Sequence, residues 1–204
     1  VTTTNLQTLT ITVYPAAGSI DYNVNGGVNA PVDTATYNIG DTTTIKAIGS
    51  MTRSGYTFVR WNTSGADTGT AYSPGSTYTF AGNITLYAIW SGNTITVTYN
   101  ANGGSPAPSA DTFTYGGVGV TLNSGASETR TGYTFGGWTR VQNDSTTVIT
   151  TYSDSVSVTV YALWNINSYT VTYTAGAGGT ITGTTPQTIS YGSSATQVTA
   201  TPNT

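Results

Sequence analysis

One aromatic motif occurs twice in the chain and strongly constrains what the chain can fold into. The later copy is Gly-Tyr-Thr-Phe-Gly-Gly-Trp at residues 132–138, and the earlier copy is Gly-Tyr-Thr-Phe-Val-Arg-Trp at residues 55–61, 77 residues before it. In a β-strand, Tyr and Phe two positions apart face one side, whereas Trp three positions after Phe faces the other. The three rings can share one core only if the two residues before Trp form a bulge, so each copy predicts a bulged strand. Gly136–Gly137 permits that bend at low steric cost, and Val59–Arg60 shows that glycine is not required there.

Two further alternating segments recur around this motif. A closing segment, Ile-Thr-Leu-Tyr-Ala-Ile-Trp at residues 84–90, matches Val-Thr-Val-Tyr-Ala-Leu-Trp at residues 158–164. An opening segment with apolar residues at alternate positions occurs three times, twice before a copy of the motif and once after the second closing segment. Its apolar residues are Leu9, Ile11 and Val13; Ile95, Val97 and Tyr99; Tyr169, Val171 and Tyr173. We expect the opening and closing strands of each unit to be neighbours at the centre of one sheet, and residues 9–90 and 95–164 to share one topology.

The four tryptophans recur in phase with apolar partners, which predicts that they belong to the core. We expect Trp61 to lie near Trp90, and Trp138 to lie near Trp164. Tyr87 and Tyr161 face away from their tryptophan neighbours in the closing strands and are the better candidates for an exposed aromatic patch.

Together these motifs resemble the Listeria–Bacteroides repeat, also called the internalin B-type B-repeat. The resemblance rests on Tyr-Asn-Ala-Asn-Gly-Gly at residues 99–104, on residues 132–138 and on Val-Tyr-Ala-Leu-Trp at residues 160–164. It covers one whole repeat and, more loosely, residues 9–90 with an enlarged first loop. The resemblance implies small β-grasp-like modules strung in series on secreted bacterial surface proteins, and no catalytic residues.

The fold class expected is mainly β, as tandem small β-grasp-like repeat modules with little helix. Residues 1–8 are interpreted as a linker, 9–92 as the first module, 93–166 as the second and 167–204 as an incomplete third repeat. Charged residues make up 6% of the chain and aromatic residues 11%, which excludes disorder driven by high charge. The five Lys and Arg residues form no basic run, and no segment is apolar enough to span a membrane, so we expect neither nucleic-acid binding nor membrane insertion.

The composition restricts the chemistry available to the chain. It contains no His and no Cys, which removes His-based nucleophilic catalysis and the usual zinc ligand sets. Paired carboxylates could still hydrolyse glycosides, but the acidic residues lie scattered in predicted loops and are interpreted as turn formers: Asp21, Asp33, Asp41, Asp67, Asp111, Glu128, Asp144 and Asp154. We therefore expect no enzyme activity, no cofactor and no metal.

Three local patterns receive structural rather than chemical interpretations. Residues 21–26 match the start of a calcium loop, but the twelfth position is Val32 instead of a bidentate Glu, so a turn is favoured. Three Asn-x-Ser/Thr sequences begin at Asn62, Asn83 and Asn143. For the bacterial source that the resemblance implies, they are interpreted as coincidental in a chain this rich in Asn and Thr. Lys46 is the only lysine, and an isopeptide crosslink is not favoured.

The function expected is that of a non-enzymatic extracellular structural module, a stalk, spacer or filament-forming repeat on the bacterial cell surface or secreted from the cell. The alternative is an adhesin-type module that binds glycan or host protein through exposed aromatic residues. The partners expected are adjoining repeats or copies of the same chain, and for the alternative a glycan or protein on another cell. The candidate interaction residues are Tyr87, Tyr161, Tyr169, Val171 and Tyr173.

Residues 169–204 contain the opening strands of a unit without its aromatic motif or closing strand. Such a piece exposes an apolar face and open strand edges, so it is not expected to be self-sufficient. Two explanations stay open: a longer protein supplies the rest of the unit, or a neighbouring molecule adds a strand and the subunits join head to tail.

Overall fold

The computed structural model describes residues 17–204, and every regular element within them is a β-strand. This confirms the mainly β expectation. The chain divides into two compact units, one ending at Asn93 and the other beginning at Thr94.

The first unit contains six strands in its described part. They are β1 (Ile20–Asn23), β2 (Thr42–Thr44), β3 (Tyr56–Asn62), β4 (Ala71–Tyr72), β5 (Thr77–Thr79) and β6 (Ile84–Gly92). Four of them form a sheet in the order β1-β6-β3-β4, and β2 pairs with β5.

The opening strand of the first unit differs from the sequence-based expectation. The segment containing Leu9, Ile11 and Val13 lies outside the described residues, and the strand beside β6 is Ile20–Asn23. The region after Ala16, expected to be an enlarged loop, therefore contains this strand and the turn that follows it. Tyr-Asn-Val-Asn-Gly-Gly at residues 22–27 is the counterpart of residues 99–104, and the supposed start of a calcium loop is that turn.

The second unit contains eleven strands. They are β7 (Thr94–Asn100), β8 (Asp111–Thr114), β9 (Val120–Thr121), β10 (Tyr133–Thr139), β11 (Val148–Ile149), β12 (Thr151–Tyr152), β13 (Val158–Ile166), β14 (Ser168–Val171), β15 (Gly179–Thr182), β16 (Gln187–Ser190) and β17 (Thr199–Pro202). Five form a sheet in the order β11-β10-β13-β7-β8, and the others form three strand pairs, β9 with β12, β14 with β16 and β15 with β17.

The strand pairing of the first unit recurs in the second. The opening strand lies parallel to the closing strand in both, as β1 with β6 and β7 with β13. The aromatic strand is antiparallel to the closing strand in both, as β3 with β6 and β10 with β13. The closing strands are internal to their sheets, as expected, but β1 ends its sheet and so does not lie at the centre.

The predicted bulge is present in both aromatic strands. The register of β3 against β6 shifts between Phe58 and Arg60, and that of β10 against β13 shifts between Phe135 and Gly137. The shift brings the Phe and Trp side chains of each motif to one core despite their spacing of three. The expectation that the motif tyrosine shares this core is wrong, because Tyr56 and Tyr133 stack against Arg53 and Arg130 instead. Gly137 has a φ of 122°, a conformation that glycine adopts without steric cost.

Each module has its own hydrophobic core around these strands. Trp61 and Trp138 are almost fully buried, whereas Trp90 and Trp164 are half-buried. In the second module Phe135 lies between Trp138 and Trp164, with ring centroids 5.2 and 5.7 Å away. The first module repeats this arrangement, so the tryptophans of each pair approach one another through a shared phenylalanine.

Candidate functional site

The indole N–H groups of all four tryptophans donate hydrogen bonds to backbone carbonyls. Nε1 of Trp61 bonds to the carbonyl of Lys46 at 2.9 Å, and Nε1 of Trp138 bonds to that of Asn123 at 2.7 Å. The half-buried tryptophans, Trp90 and Trp164, bond in the same way to carbonyls in the turn after the opening strand, at 2.9 and 2.8 Å. A buried indole needs such a partner, so these bonds fix the ring orientations. The motif therefore serves the fold.

The last core-facing residue of each opening strand is a tyrosine that packs against the core tryptophan. The rings of Tyr22 and Tyr99 each lie 4.8 Å from the core tryptophan, edge to face. Their hydroxyl oxygens accept backbone N–H groups of Lys46 and Asn123. The Tyr99 hydroxyl also donates to Asp111 at 2.6 Å. Burial and this bond to a carboxylate raise the pKa of Tyr99 from its usual value near 10 to about 12.

An arginine contact recurs that the motif analysis missed. The Arg53 guanidinium lies 4.0 Å from the centroid of the Tyr56 ring, and that of Arg130 lies 4.1 Å from that of Tyr133. The same arginines donate to carbonyls of the Asn-Gly-Gly turns at 3.3 Å. The signal was available, because Arg-x-Gly-Tyr occurs at the same place in both copies. Cation–π stacking and these bonds tie the turn to the aromatic strand.

The two tyrosines predicted to form an exposed patch are both half-buried. Tyr87 lies in β6 beside Asn62 of β3. The loop at Gly65 runs close to the Tyr87 ring, since a Cβ atom built at that glycine would lie 3.4 Å from a ring carbon. Tyr161 lies in β13 between Thr139 and Asn100 of the flanking strands. Tyr87 and Tyr161 lie in different compact units.

The candidate residues of the third repeat are more accessible. Tyr169 is 52% exposed, while Val171 and Tyr173 are half-buried. Tyr169 and Val171 belong to β14, which pairs antiparallel with β16. The backbone N–H of Tyr173 donates to the hydroxyl of Thr185 at 2.8 Å, and that hydroxyl donates to the carbonyl of Tyr173 at 3.1 Å.

Six of the eight acidic residues have structural partners. Lys46, Arg60 and Arg140 form ion pairs with Asp33, Asp67 and Asp154 respectively. Asp111 bonds to Tyr99, and two more bond to nearby turn residues: Asp41 and Asp144. Within residues 17–204 no three acidic residues cluster in a way that would hold a metal ion.

Glu128 is buried without a comparable partner. Its side chain is 6% exposed, Oε2 has no hydrogen-bond partner, and Oε1 is 3.4 Å from the hydroxyl of Ser127. The equivalent residue of the first module, 77 positions earlier, is Met51, which is also buried. The second module thus has a buried carboxyl group where the first module has a buried thioether.

A polar cavity lies beside the turn of the second module. Its volume is about 210 Å³, and its lining includes Asn102, Arg130, Asp144 and Trp164. Arg130 and Trp164 donate to carbonyls of the turn, Asn102 donates to the carbonyl of Ala162, and Asp144 accepts from Thr146, so all four of these polar groups are committed to the fold. Asn62 is 1% exposed, so that glycosylation sequence is inaccessible in the fold.

Comparisons with known proteins agree with this architecture. The model of the Listeria-Bacteroides repeat domain matches residues 19–89 and 96–163, and that of the divergent InlB B-repeat domain matches residues 169–204. The first match begins at the observed opening strand. No solved structure matches the chain significantly.

Two similar proteins come from Evansella cellulosilytica. One, named "Putative Gly-rich membrane protein", is 30% identical over 152 residues, which are 72% of this chain and 17% of that protein. The other, named "Putative membrane protein", is 31% identical over 103 residues, which are 49% of this chain and 15% of that protein. The chain thus spans about a sixth of the length of these relatives.

Within residues 17–204, no helix is long and apolar enough to cross a membrane. The repeated aromatic strand, the parallel opening and closing strands and the two matched ranges all lead to the same assignment. The chain belongs to the Listeria-Bacteroides repeat family, whose repeats occur in bacterial surface proteins.

Proposed function

We propose that the chain is a non-enzymatic structural segment of an extracellular bacterial protein, in which modules in series bear tension and set a distance. The observation that carries this proposal is the parallel pairing of the first and last strands of each module. Ile20–Asn23 lies beside Ile84–Tyr87, and Val97–Asn100 lies beside Val158–Tyr161.

This pairing determines how a module responds to tension along the chain. The chain enters a module at the start of its opening strand and leaves at the end of its closing strand. Tension between these two points pulls the adjacent strands lengthwise in opposite directions. The hydrogen bonds between them are then loaded together, rather than one after another as when a hairpin is unzipped. A module of this topology resists extension more strongly than one whose terminal strands separate at one end.

The side-chain chemistry supports the same function. The indole, phenol, guanidinium and amide groups of the repeated motifs bond to the module's own backbone. Asn25 and Asn102, for example, donate to the carbonyls of Ala88 and Ala162 at 2.9 and 3.0 Å. These bonds join the turn to the closing strand, so the recurring polar residues strengthen the pairing that would bear the load.

The test compares two directions of force on the second module. The chain has no cysteine, so the pair Thr94→Cys and Ile166→Cys can attach handles that load β7 and β13 lengthwise. The matched control pair, Thr94→Cys and Val156→Cys, pulls the same strands apart from one end. We expect the first pair to require a rupture force several times higher. Equal forces for the two pairs would remove the mechanical basis of the proposal.

The adhesin alternative has less support, because Tyr87 and Tyr161 are half-buried. The observation in its favour is the polar cavity beside Trp164. A glycan-array signal that disappears in Tyr161→Ala, while the folded fraction is unchanged, would favour adhesion over a purely mechanical role.

A further inference from the structure

The tyrosine of the second aromatic motif contacts the third repeat instead of the core of its own module. Tyr133 is half-buried and lies outside the hydrophobic cluster around Trp138. Its ring is stacked by the Arg130 guanidinium, and it also meets the ring of Tyr191 edge to face, with centroids 6.4 Å apart and planes at 66°. This separation lies within the range in which aromatic pairs attract one another.

Gly132 lies directly beneath the Tyr191 ring. A Cβ atom built at position 132 would overlap the carbons of that ring, so a side chain there would displace it. The φ of Gly132 is 78°, a left-handed conformation that also favours glycine. The first two residues of the motif, Gly132 and Tyr133, thus form one contact surface for Tyr191.

A single residue, Asn167, separates the closing strand β13 from β14, the first strand of the third repeat. Its N–H donates to the carbonyl of Gly132 at 2.9 Å, and its carbonyl accepts the N–H of Tyr191 at 2.8 Å. Its side-chain oxygen accepts from the hydroxyl of Thr134 at 2.6 Å. The connection is therefore short and bonded to both repeats, unlike a flexible linker, whose backbone is free.

The part of this arrangement that belongs to a complete module recurs in the first module. The N–H of Asn93 donates to the carbonyl of Gly55 at 2.9 Å, and its side-chain oxygen accepts from the hydroxyl of Thr57 at 2.6 Å. Gly55 has a φ of 79°, and Arg53 stacks on Tyr56. The arrangement is thus a property of the repeat.

The contacting tyrosine recurs within the chain although the third repeat is divergent. Tyr191 directly follows β16, which pairs with β14 as β8 pairs with β7, and Tyr115 directly follows β8. A glycine with a positive φ comes next in both repeats, 82° at Gly192 and 88° at Gly116. The strands before them, Gln-Thr-Ile-Ser and Asp-Thr-Phe-Thr, share only their second residue. The tyrosine and its turn are therefore common to repeats that otherwise differ.

We propose that Gly132 and Tyr133 form a docking seat for the tyrosine ring of the following repeat, and that this contact holds the third repeat in one orientation to the second module. The inference rests on the structural role proposed above, because repeats in series set a distance only if their joints do not hinge. The partner that fits the seat is a repeat with an aromatic side chain directly after the strand paired with its opening strand. A small side chain there leaves Gly132 uncovered and Tyr133 without its edge-to-face partner.

The first experiment measures the distance distribution between two spin labels by pulsed electron spin resonance. The chain has no cysteine, so Thr98→Cys and Thr180→Cys place one label on an exposed strand position of the second module and one on the third repeat. We expect a narrow distribution that broadens several-fold with Tyr191→Ala. It should stay narrow with Tyr191→Phe, which keeps the ring, and with Tyr169→Ala, which removes another exposed tyrosine of the same repeat.

The second experiment changes the other side of the contact. Gly132→Ala should broaden the same distribution, because its methyl group occupies the place of the ring. The control is Gly192→Ala, which introduces comparable backbone strain at a φ of 82° but meets nothing within 4 Å, and it should leave the distribution narrow. Since both variants act through one contact, Gly132→Ala/Tyr191→Ala should broaden the distribution no more than either change alone.

Three results would overturn the docking seat: a broad distribution without further substitution, a narrow one with Tyr191→Ala, or a broad one with Tyr191→Phe. Labels at Thr170→Cys and Thr180→Cys, both within the third repeat, separate a loosened joint from an unfolded repeat. This second pair should stay narrow in Tyr191→Ala, and its broadening would assign the ring to the fold of the repeat instead. Force applied through residues 94 and 166 does not load the joint, so failure of the docking seat and failure of the mechanical proposal are distinguishable.

Discussion

At the scale of single residues, most of the recurring polar atoms serve to orient an aromatic ring or join a turn to a strand. The in-phase tryptophans were predictable from sequence because each lies at a fixed offset from apolar partners. The Arg–Tyr stacks do not follow from apolar periodicity, because these arginines flank the aromatic strand. Glu128 could not have been predicted to be buried, since a carboxyl at the position of Met51 contradicts the hydrophobic pattern.

Trp138→Ala tests whether the aromatic motif anchors its module. The side chain is 2% exposed and contacts the rings of Tyr99 and Phe135. Truncation leaves a cavity and an unpaired carbonyl at Asn123, so we expect a loss of about 3–5 kcal/mol in the free energy of unfolding. Urea melts would measure it, with the exposed Val141→Ala as control. A near-neutral Trp138→Ala would contradict the anchoring role.

Glu128→Met places the residue of the first module in the second. It removes a buried carboxyl oxygen without a partner and keeps the volume, so the free energy of unfolding should rise by about 1–3 kcal/mol. Glu128→Gln, which keeps a buried polar group, is the control and should gain less. Destabilisation by Glu128→Met would mean that the carboxyl has a stabilising role that its contacts do not reveal.

Tyr99 gives the fold an alkaline limit. Its pKa in the folded chain is about 12, above the usual value near 10, so the neutral phenol stabilises the folded state. This contribution is fully present below about pH 10 and is lost as the pH rises through about 12. In Tyr99→Phe the difference between the free energies of unfolding at neutral and alkaline pH should be smaller than in the wild type, as measured by urea melts. The exposed Tyr169→Phe should retain the wild-type difference; an unchanged difference in Tyr99→Phe would refute the assignment.

At the scale of elements, the sequence predicted the aromatic and closing strands and their bulge, but misplaced one opening strand. The bulge followed from the odd spacing of Phe and Trp. The opening strand of the first module was assigned to residues 9–13 because their alternation is longer than that of Ile20–Asn23, where Asp21 separates only two apolar side chains. The matching Asn-Gly-Gly turns at residues 25–27 and 102–104 would have given the correct alignment.

Gly137→Ala tests the bulge directly. Gly137 has a φ of 122°, and an added Cβ would lie 2.5 Å from a methyl carbon of Val148. Strain and crowding should lower the free energy of unfolding by about 1–3 kcal/mol. Gly176→Ala, where an added Cβ meets nothing within 4 Å, is the control. If the two variants are equally stable, the bulge can relax to the glycine-free form that Val59–Arg60 adopts in β3.

At the scale of the whole chain, we propose that like modules in series bear tension through their parallel terminal strands. Ile20–Gly92 and Thr94–Ile166 each contain 73 residues. At about 3.3–3.6 Å per extended residue, less the span of one folded strand, each module should release roughly 210–230 Å of chain when it unfolds. The third repeat has no parallel strand pair within residues 17–204 and should open at lower force.

Single-molecule extension of the 204-residue chain from its two ends measures directly whether the modules bear tension. We expect two separate rupture events of nearly equal length gain and similar force, one for each module. A single event spanning both modules, or extension without a measurable rupture force, would contradict the proposed role.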